Sequence, residues 1–379
     1  MNRAAATMTV WLATFSLLVA SNRGAESMAW AEEWKTAGEK PVELSDDWSF
    51  DQIALSARPS AAVASAALAP AESTIWTARV DALLLWRNAP ESRPLYDFWD
   101  PITSTPTGQA LNASQFNSGM AAGPRFTILH ETQDGYGWEI GYFRVQAFES
   151  MQELPYAFEG YANAEGTNIF GNAYAELDQV AGKLTSTIQS FEVLARLPSN
   201  DWLTWTAGFR WVEWRENLQL VDTYSYDPTD PSQTFFNAYK TSTINSLYGL
   251  QLGAEAAIWK PSASFRIDGV AKAGVYGNNA VQASESVTDD PYFPFSGNVT
   301  TSMARTAFVG EIGATATWQM THHIAARAGY NAFWLGGLAT AQNQLSGQTL
   351  AEGEQITGST DTGGSVVLQG ITLGLEGRW

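Results

Sequence analysis

The most constraining feature of this chain is alternation over a fixed length. From Trp76 to Trp86, the residues Trp76, Ala78, Val80, Ala82, Leu84 and Trp86 share one parity, while Thr77, Arg79, Asp81, Leu83, Leu85 and Arg87 share the other. A period of two is that of a β-strand, whose successive side chains point to opposite faces. About ten residues at ~3.3 Å each, tilted by roughly 40°, rise about 25 Å, which is the height of the lipid-facing band of an outer-membrane barrel. A Trp at each end of such a strand suits the two aromatic girdles of that band. Val366 to Trp379 repeats the pattern, with Val367, Ile371, Leu373, Leu375 and Trp379 against Gly370, Thr372, Gly374, Glu376 and Arg378. A half-buried strand of a soluble sandwich would also alternate. A greasy strand closed by an aromatic residue is the form in which outer-membrane barrels end, so Ile371, Leu373, Leu375 and Trp379 are expected to be read by a barrel assembly machinery.

Matching strands follow along the chain. Met120 to His130 is one, weakened by Pro124, which cannot donate to a ladder. Tyr136 to Phe148 is another, and its apolar parity switches from Trp138, Ile140 and Tyr142 to Phe143, Val145 and Ala147, which reads as a β-bulge. Phe191 to Leu197, Leu203 to Trp211, Ile244 to Ile258, Phe265 to Val275, Phe308 to Trp318 and Ile324 to Trp334 continue the series. Short turns near residues 131–135, 198–201, 260–263 and 319–323 alternate with long connections near 88–119, 149–183, 217–239, 278–303 and 337–363. Short periplasmic turns and long extracellular loops are the asymmetry of an outer-membrane barrel. The expected fold is therefore all-β: a transmembrane antiparallel up-and-down β-barrel of about ten strands, with both termini periplasmic. Twelve strands is the alternative, should Tyr174 to Thr187 hold one more hairpin. The outward Trp76, Trp86, Trp138, Trp205, Trp211, Tyr248, Trp318, Tyr330 and Trp334 are the expected aromatic girdles.

Residues 1–31 read as a signal peptide, with Arg3 before an apolar run from Val10 to Val19 and small-residue cleavage sites near residues 21 and 31. Residues 32–72, rich in Ala, Ser, Pro and acidic side chains, read as a periplasmic linker or tail ahead of a barrel over 73–379. A Gram-negative-type envelope is the implied setting. The chain has no Cys, which removes disulfide scaffolds and thiol chemistry, and its net charge of −18 argues against a nucleic-acid partner.

Several short stretches carry a family likeness. They are Ala122-Gly123-Pro124-Arg125, Gly137-Trp138-Glu139 with Tyr142-Phe143, Ser190-Phe191-Glu192-Val193, and Trp202-Leu203 with Ala207-Gly208-Phe209-Arg210. Asn245 through Gly253, Lys272 through Tyr276, Ala328-Gly329-Tyr330-Asn331 and Gly370 through Glu376 complete them. In that order they resemble the planctomycete-type outer-membrane beta-barrel porin family, over about Trp76 to Trp379. The resemblance implies an outer-membrane barrel with a porin label. It implies no solute and no catalytic residues.

The only histidines, His130, His322 and His323, fall at the periplasmic ends of expected strands, away from the external rim where protease-like or phospholipase-like barrels place theirs. Asp289-Asp290 reads as part of a solvated acidic loop rather than an acid/base pair. No enzyme, no cofactor and no metal site is expected, apart from divalent cations that the acidic loops would hold against lipopolysaccharide. Those loops include Asp97, Asp100, Asp222, Asp289 and Asp290. The expected lumen set is Arg79, Asp81, Arg144, Glu192, Arg196, Arg210, Glu255, Arg266, Asp268, Lys272, Arg305, Glu311, Arg327 and Glu376, with Arg378 beside it. Facing lipid, an Arg or Lys near the midplane would cost ~2–4 kcal/mol, so these side chains are assigned inward. They either line a small aqueous pore or pair across the lumen and fill it, because about ten strands lies between the eight that side chains fill and the sixteen that leave a channel. The sequence points first to a porin-like channel for passive diffusion of small polar solutes or ions, and second to a closed structural or adhesion barrel presenting acidic loops. Outer-membrane lipid and lipopolysaccharide are the expected partners, and the sequence leaves the oligomeric state open.

Overall fold

A computed structural model of the protein describes residues 74–155, 160–164, 177–225, 233–291, 295–351 and 355–379. The leader and linker expected over 1–72 lie outside the described residues.

Ten antiparallel strands close into one barrel: β1 Ile75–Arg87, β2 Met120–Glu131, β3 Gly137–Leu154, β4 Gln179–Asn200, β5 Leu203–Ser225, β6 Thr234–Ser262, β7 Phe265–Thr288, β8 Phe295–Gln319, β9 Ile324–Leu338 and β10 Gly364–Arg378. Neighbours in sequence pair throughout, and the ring shuts where β1 runs antiparallel to β10 from Thr77 opposite Arg378 to Arg87 opposite Leu368. The last residue takes part in that seam. Trp379 N donates to Trp76 O at 3.0 Å, and Trp76 N donates to Trp379 O at 2.9 Å. The segment 179–187 lies within β4, so no additional hairpin starts there.

Hydrophobic side chains that a soluble sandwich would bury stand exposed around the outside. Leu250 is 72 % exposed, Leu252 70 %, Ile312 64 % and Leu373 49 %. With the lipid-facing parity that predicts them, this is the dress of a protein solvated by hydrocarbon.

Strand lengths are unequal. β1 and β2 have 13 and 12 residues, enough to cross the lipid band, whereas β4 to β8 have 22 to 29. The long strands run past the band toward the loop end of the barrel. On the outside of β5 the change is visible, from Trp205, Phe209 and Trp211 to Glu213, Arg215 and Asn217. Much of the chain expected as loop over 217–239 and 278–303 is this wall. Beside it, the connection between β1 and β2 folds into a small sheet, in which Pro94–Asp100 pairs with Thr105–Asn112 and with Tyr161–Asn163.

The bulge lies later than the alternation suggested. The β3–β4 register slips between Val145 and Phe148, where Ala147 has φ +65°. Phe143 and Val145 therefore point inward, at 3 % and 0 % exposure, and not outward. Gly123 of β2 marks a close approach to the same strand: a Cβ there would fall 1.8 Å from the Arg144 carbonyl oxygen.

Candidate functional site in the barrel interior

Inward side chains are stratified along the barrel axis, and the turn-end layer is charged. Glu376 of β10 receives Arg79 from β1 at 3.0 Å, Arg327 from β9 at 2.8 Å and Arg266 from β7 at 3.3 Å. Arg327 also reaches Asp81 at 3.5 Å, and Arg266 holds Asp268 at 2.7 Å. Arg196 binds three carboxylates, Glu131 and Glu139 at 2.9 Å and Glu255 at 2.8 Å. Lys272 sits 2.7 Å from Glu192, which also accepts from Gln251 at 2.6 Å. Glu311 closes the network at mid-barrel, with Arg125 at 2.6 Å and Arg210 at 2.8 Å. Between these pairs remains a cavity of about 80 Å³, lined by Arg79, Asp81, Arg125, Glu139, Glu255, Lys272 and Thr206 among others. That is room for a few waters.

An apolar layer lies directly on the charged one. Leu83 and Leu85 of β1, Phe143, Val145 and Phe148 of β3, Ile188 of β4, Val212 and Trp214 of β5, Leu247 of β6, Phe333 and Leu335 of β9 and Leu368 of β10 pack into one cluster, none more than 3 % exposed. The boundary is sealed by cation–π contacts. The guanidinium of Arg125 stands 5.5 Å from Phe143 and 5.8 Å from Phe333, and that of Arg210 at 5.9 and 6.0 Å from the same rings.

Above the apolar layer a second polar layer holds a segment that dips into the lumen. Arg87 of β1 pairs with Glu216 of β5 at 2.5 Å and lies 5.3 Å from the Trp214 ring. Glu216 also accepts from Ala341 N at 2.7 Å. Asn245 acts as a surrogate strand for Ala339, donating to its carbonyl at 2.8 Å and accepting from its N–H at 2.7 Å. Gly337, with φ +82°, turns the chain from the end of β9 into this position, and a Cβ there would press within 2.8 Å of the Thr306 carbonyl oxygen. Leu95, Tyr96, Leu111, Phe116, Leu177, Leu218, Tyr239 and Leu345 then form an apolar cap at the loop end.

The expected lumen residues are found inside in nearly every case. Arg79, Asp81, Glu192, Arg196, Arg210, Glu255, Arg266, Asp268, Lys272, Glu311, Arg327 and Glu376 share the network just described. Two do not join it. Arg144 precedes the bulge on the outward face, exposed beside Gln146, because the parity switch comes after it. Arg305 is exposed on β8 beyond Phe308, the last residue of that strand to pair with β9. Arg125, Glu139, Arg87 and Glu216 belong to the interior and were missed. Arg125 and Arg87 carried the inward parity all along, whereas Glu216 lay in a stretch that looked like loop.

The residues expected to form the girdles all face outward. Trp205, Tyr248, Trp318, Tyr330 and Trp334 are 49–57 % exposed and Trp86 is 38 %. Trp76 and Trp138 are half-buried because they pack edge-on against each other at 5.5 Å, with His130 stacked on Trp138 at 5.6 Å. Trp211 is half-buried likewise. Ile371, Leu373, Leu375 and Trp379 are exposed on the lipid side of β10 and at its end. Asp289 and Asp290 are engaged structurally: Asp289 accepts from Phe236 N and Asp290 from the Tyr224 hydroxyl, both at 2.7 Å. Among the described residues no group of three or more His, Asp or Glu has the arrangement of a metal site.

Residues 76–379 match the family model described as Putative beta barrel porin-7 (BBP7). Nothing matches among curated protein sequences. Solved structures similar to this chain include the outer membrane protease OmpT of Escherichia coli, at 11 % identity over 83 % of this chain and 99 % of that one, with a TM-score of 0.43. They also include a FadL homologue of Pseudomonas aeruginosa, at 9 % identity over 81 % and 89 % with a TM-score of 0.24. A third is the anion-selective porin of Comamonas acidovorans, at 8 % identity over 81 % and 99 % with a TM-score of 0.18.

Proposed function

The chain belongs to the beta barrel porin-7 family, and from that premise and its filled interior we propose that it is a closed outer-membrane barrel, non-conducting at rest, that carries a rigid platform at its loop end. The observation that carries this reading is the apolar layer: Leu83, Leu85, Val145, Phe148 and Trp214 are all 0 % exposed at the mid-height of the lumen. An ion crossing such a layer would shed its hydration without a polar replacement, at a cost of many kcal/mol. The turn end, where both the start of β1 and Trp379 lie, is then periplasmic, and the platform faces outward. The outward aromatic rows meet lipid headgroups, and the exposed face of β10 is what an assembly machinery would bind. The charged groups of the interior network pair with one another, which suits a structural role for them.

A channel is the second reading, favoured by the polar cavity at the turn end, which would serve as a vestibule if the apolar layer parted. Single-channel recording in a planar bilayer separates the two. Folded protein, shown to be folded by heat-modifiable gel mobility, is expected to give no current steps in symmetrical salt. Discrete steps whose cation/anion preference shifts in an Arg210→Glu variant would overturn the closed-barrel reading and establish a pore.

A further inference from the structure

Asp222 lies on the inward face of β5, well past Trp211 and outside the lipid band, with 1 % of its surface exposed. The sequence alone places it in a solvated acidic loop. Its carboxylate accepts from the Tyr96 hydroxyl at 2.9 Å and from Asn237 Nδ2 at 2.7 Å. Both donors are neutral. The titratable groups on the elements around it are Tyr96 from the loop sheet, Tyr239 from β6, Tyr224 two residues further along β5, and Asp290 just past the end of β7, which accepts from the Tyr224 hydroxyl at 2.7 Å. On β4 its register partner is Val180, and Asp178 beyond is engaged through its backbone N–H to the Thr223 carbonyl. Arg93, the cation of the same loop, is directed to the Asn343 carbonyl at 3.3 Å. Tyr96 comes from the strand Pro94–Asp100 and is fully buried in the apolar cap, so this contact fastens the β1–β2 connection to the barrel wall.

We propose that Asp222, Tyr96 and Asn237 form a pH-responsive latch that holds the segment 88–119 against the barrel wall in acid and loosens it at neutral and alkaline pH. A carboxylate buried among apolar side chains with two neutral donors lacks the counter-charge that would offset its desolvation. The neutral acid keeps the Asn237 contact without that penalty. Burial accordingly pushes the Asp222 carboxyl up to about 7, against the two hydrogen bonds that pull it down. Once the segment lifts, the carboxylate meets water and returns to a pKa of about 3.9. The sign follows from proton counting: between these values the latched form binds a proton that the open form lacks, so raising the pH favours opening. The ratio of open to latched forms rises about tenfold per pH unit from about 4 and levels off above about 7. The latch goes beyond the closed-barrel reading, because it operates whether or not the lumen conducts.

The natural chain has no Cys, which makes a direct test simple. Ala113, on the same segment and 1 % exposed in the cap, is replaced by Cys, and Ile102, 92 % exposed at the loop tip, is replaced by Cys in a second protein as the unprotected reference. The ratio of their labelling rates with a methanethiosulfonate reports the fraction open. That ratio is expected to rise roughly hundredfold between pH 5 and pH 8 and to flatten above about 7. In an Asp222→Asn background, which imitates the neutral acid, it should be low and flat. A flat ratio in the protein that keeps Asp222 would overturn the latch, and so would an unchanged slope in the Asp222→Asn background. The first of these needs no variant at Asp222 and stands even if that replacement fails to fold.

Discussion

At the scale of single residues, the interior is a set of charges that are costly alone and tolerable together. Glu311 makes the point, because two guanidiniums, Arg125 and Arg210, converge on one buried carboxylate. Glu311→Gln leaves both cations short of a counter-charge while conserving shape. Removing one partner of a buried pair costs about 3–5 kcal/mol, so the folded variant is expected to lose heat resistance in gel-mobility assays and to unfold at lower urea concentration. An unchanged urea midpoint would show that water, not Glu311, solvates those arginines. The sequence made this residue legible by parity alone, since Glu311 falls on the inward side of a strand with Phe308 and Ile312 on the other. Parity also explains the errors. Arg144 keeps its own strand's alternation and was misassigned only because the switch was located a few residues early, and Arg305 has inward parity on a stretch where β8 no longer has β9 beside it. Which carboxylate meets which guanidinium was never legible, because it depends on the register between distant strands, as with Arg79 and Glu376.

At the scale of elements, local irregularities in β2 and β3 set which faces meet. Ala147 takes a left-handed conformation at the bulge, φ +65°, where an L side chain is strained and glycine is not. Ala147→Gly is therefore expected to be neutral or to stabilise by up to about 1 kcal/mol, and Ala147→Val to destabilise by about 1–2 kcal/mol. Equal urea midpoints for the two variants would mean that the bulge relaxes and does not fix the parity of β3. Gly123→Ala drives a methyl into the Arg144 carbonyl on the neighbouring strand and should slow or prevent closure of the β2–β3 hairpin, seen as a larger unfolded band after refolding. The existence of the strands and the positions of the short turns were legible because alternation is strong wherever one face meets lipid. Their loop-end extents were not. Past the band, both faces of β5 and β6 carry polar groups, as in Glu213 and Glu216 on β5 and Thr241 and Ser242 on β6, and the contrast that marks a strand disappears.

At the scale of the whole molecule, the question is which layer closes the lumen. Charges at the turn end pair but leave a cavity, the apolar layer has no opening among its described side chains, and the dipping segment at Ala339 to Leu345 is held by Asn245 and Glu216 above it. Phe143 and Phe333, in contact at 5.5 Å and covered by Arg125 and Arg210, form the floor of the apolar layer over the cavity. Truncating both to Ala removes about two rings of volume from a layer one or two side chains thick. Each truncation costs about 3–5 kcal/mol if the site does not collapse, so the double variant needs a folding check by gel mobility before any recording. In the folded fraction, the hydrated vestibule would extend upward to the level of Val212 and Leu335. If the apolar layer is the seal, brief current steps are expected from the double variant and none from the natural chain. Silence from a folded double variant would move the seal up to the segment held by Asn245, and an Asn245→Ala replacement added to it should then produce the steps. Conduction by the natural chain itself would remove the premise of both, since a lumen that passes ions at rest has no seal to find.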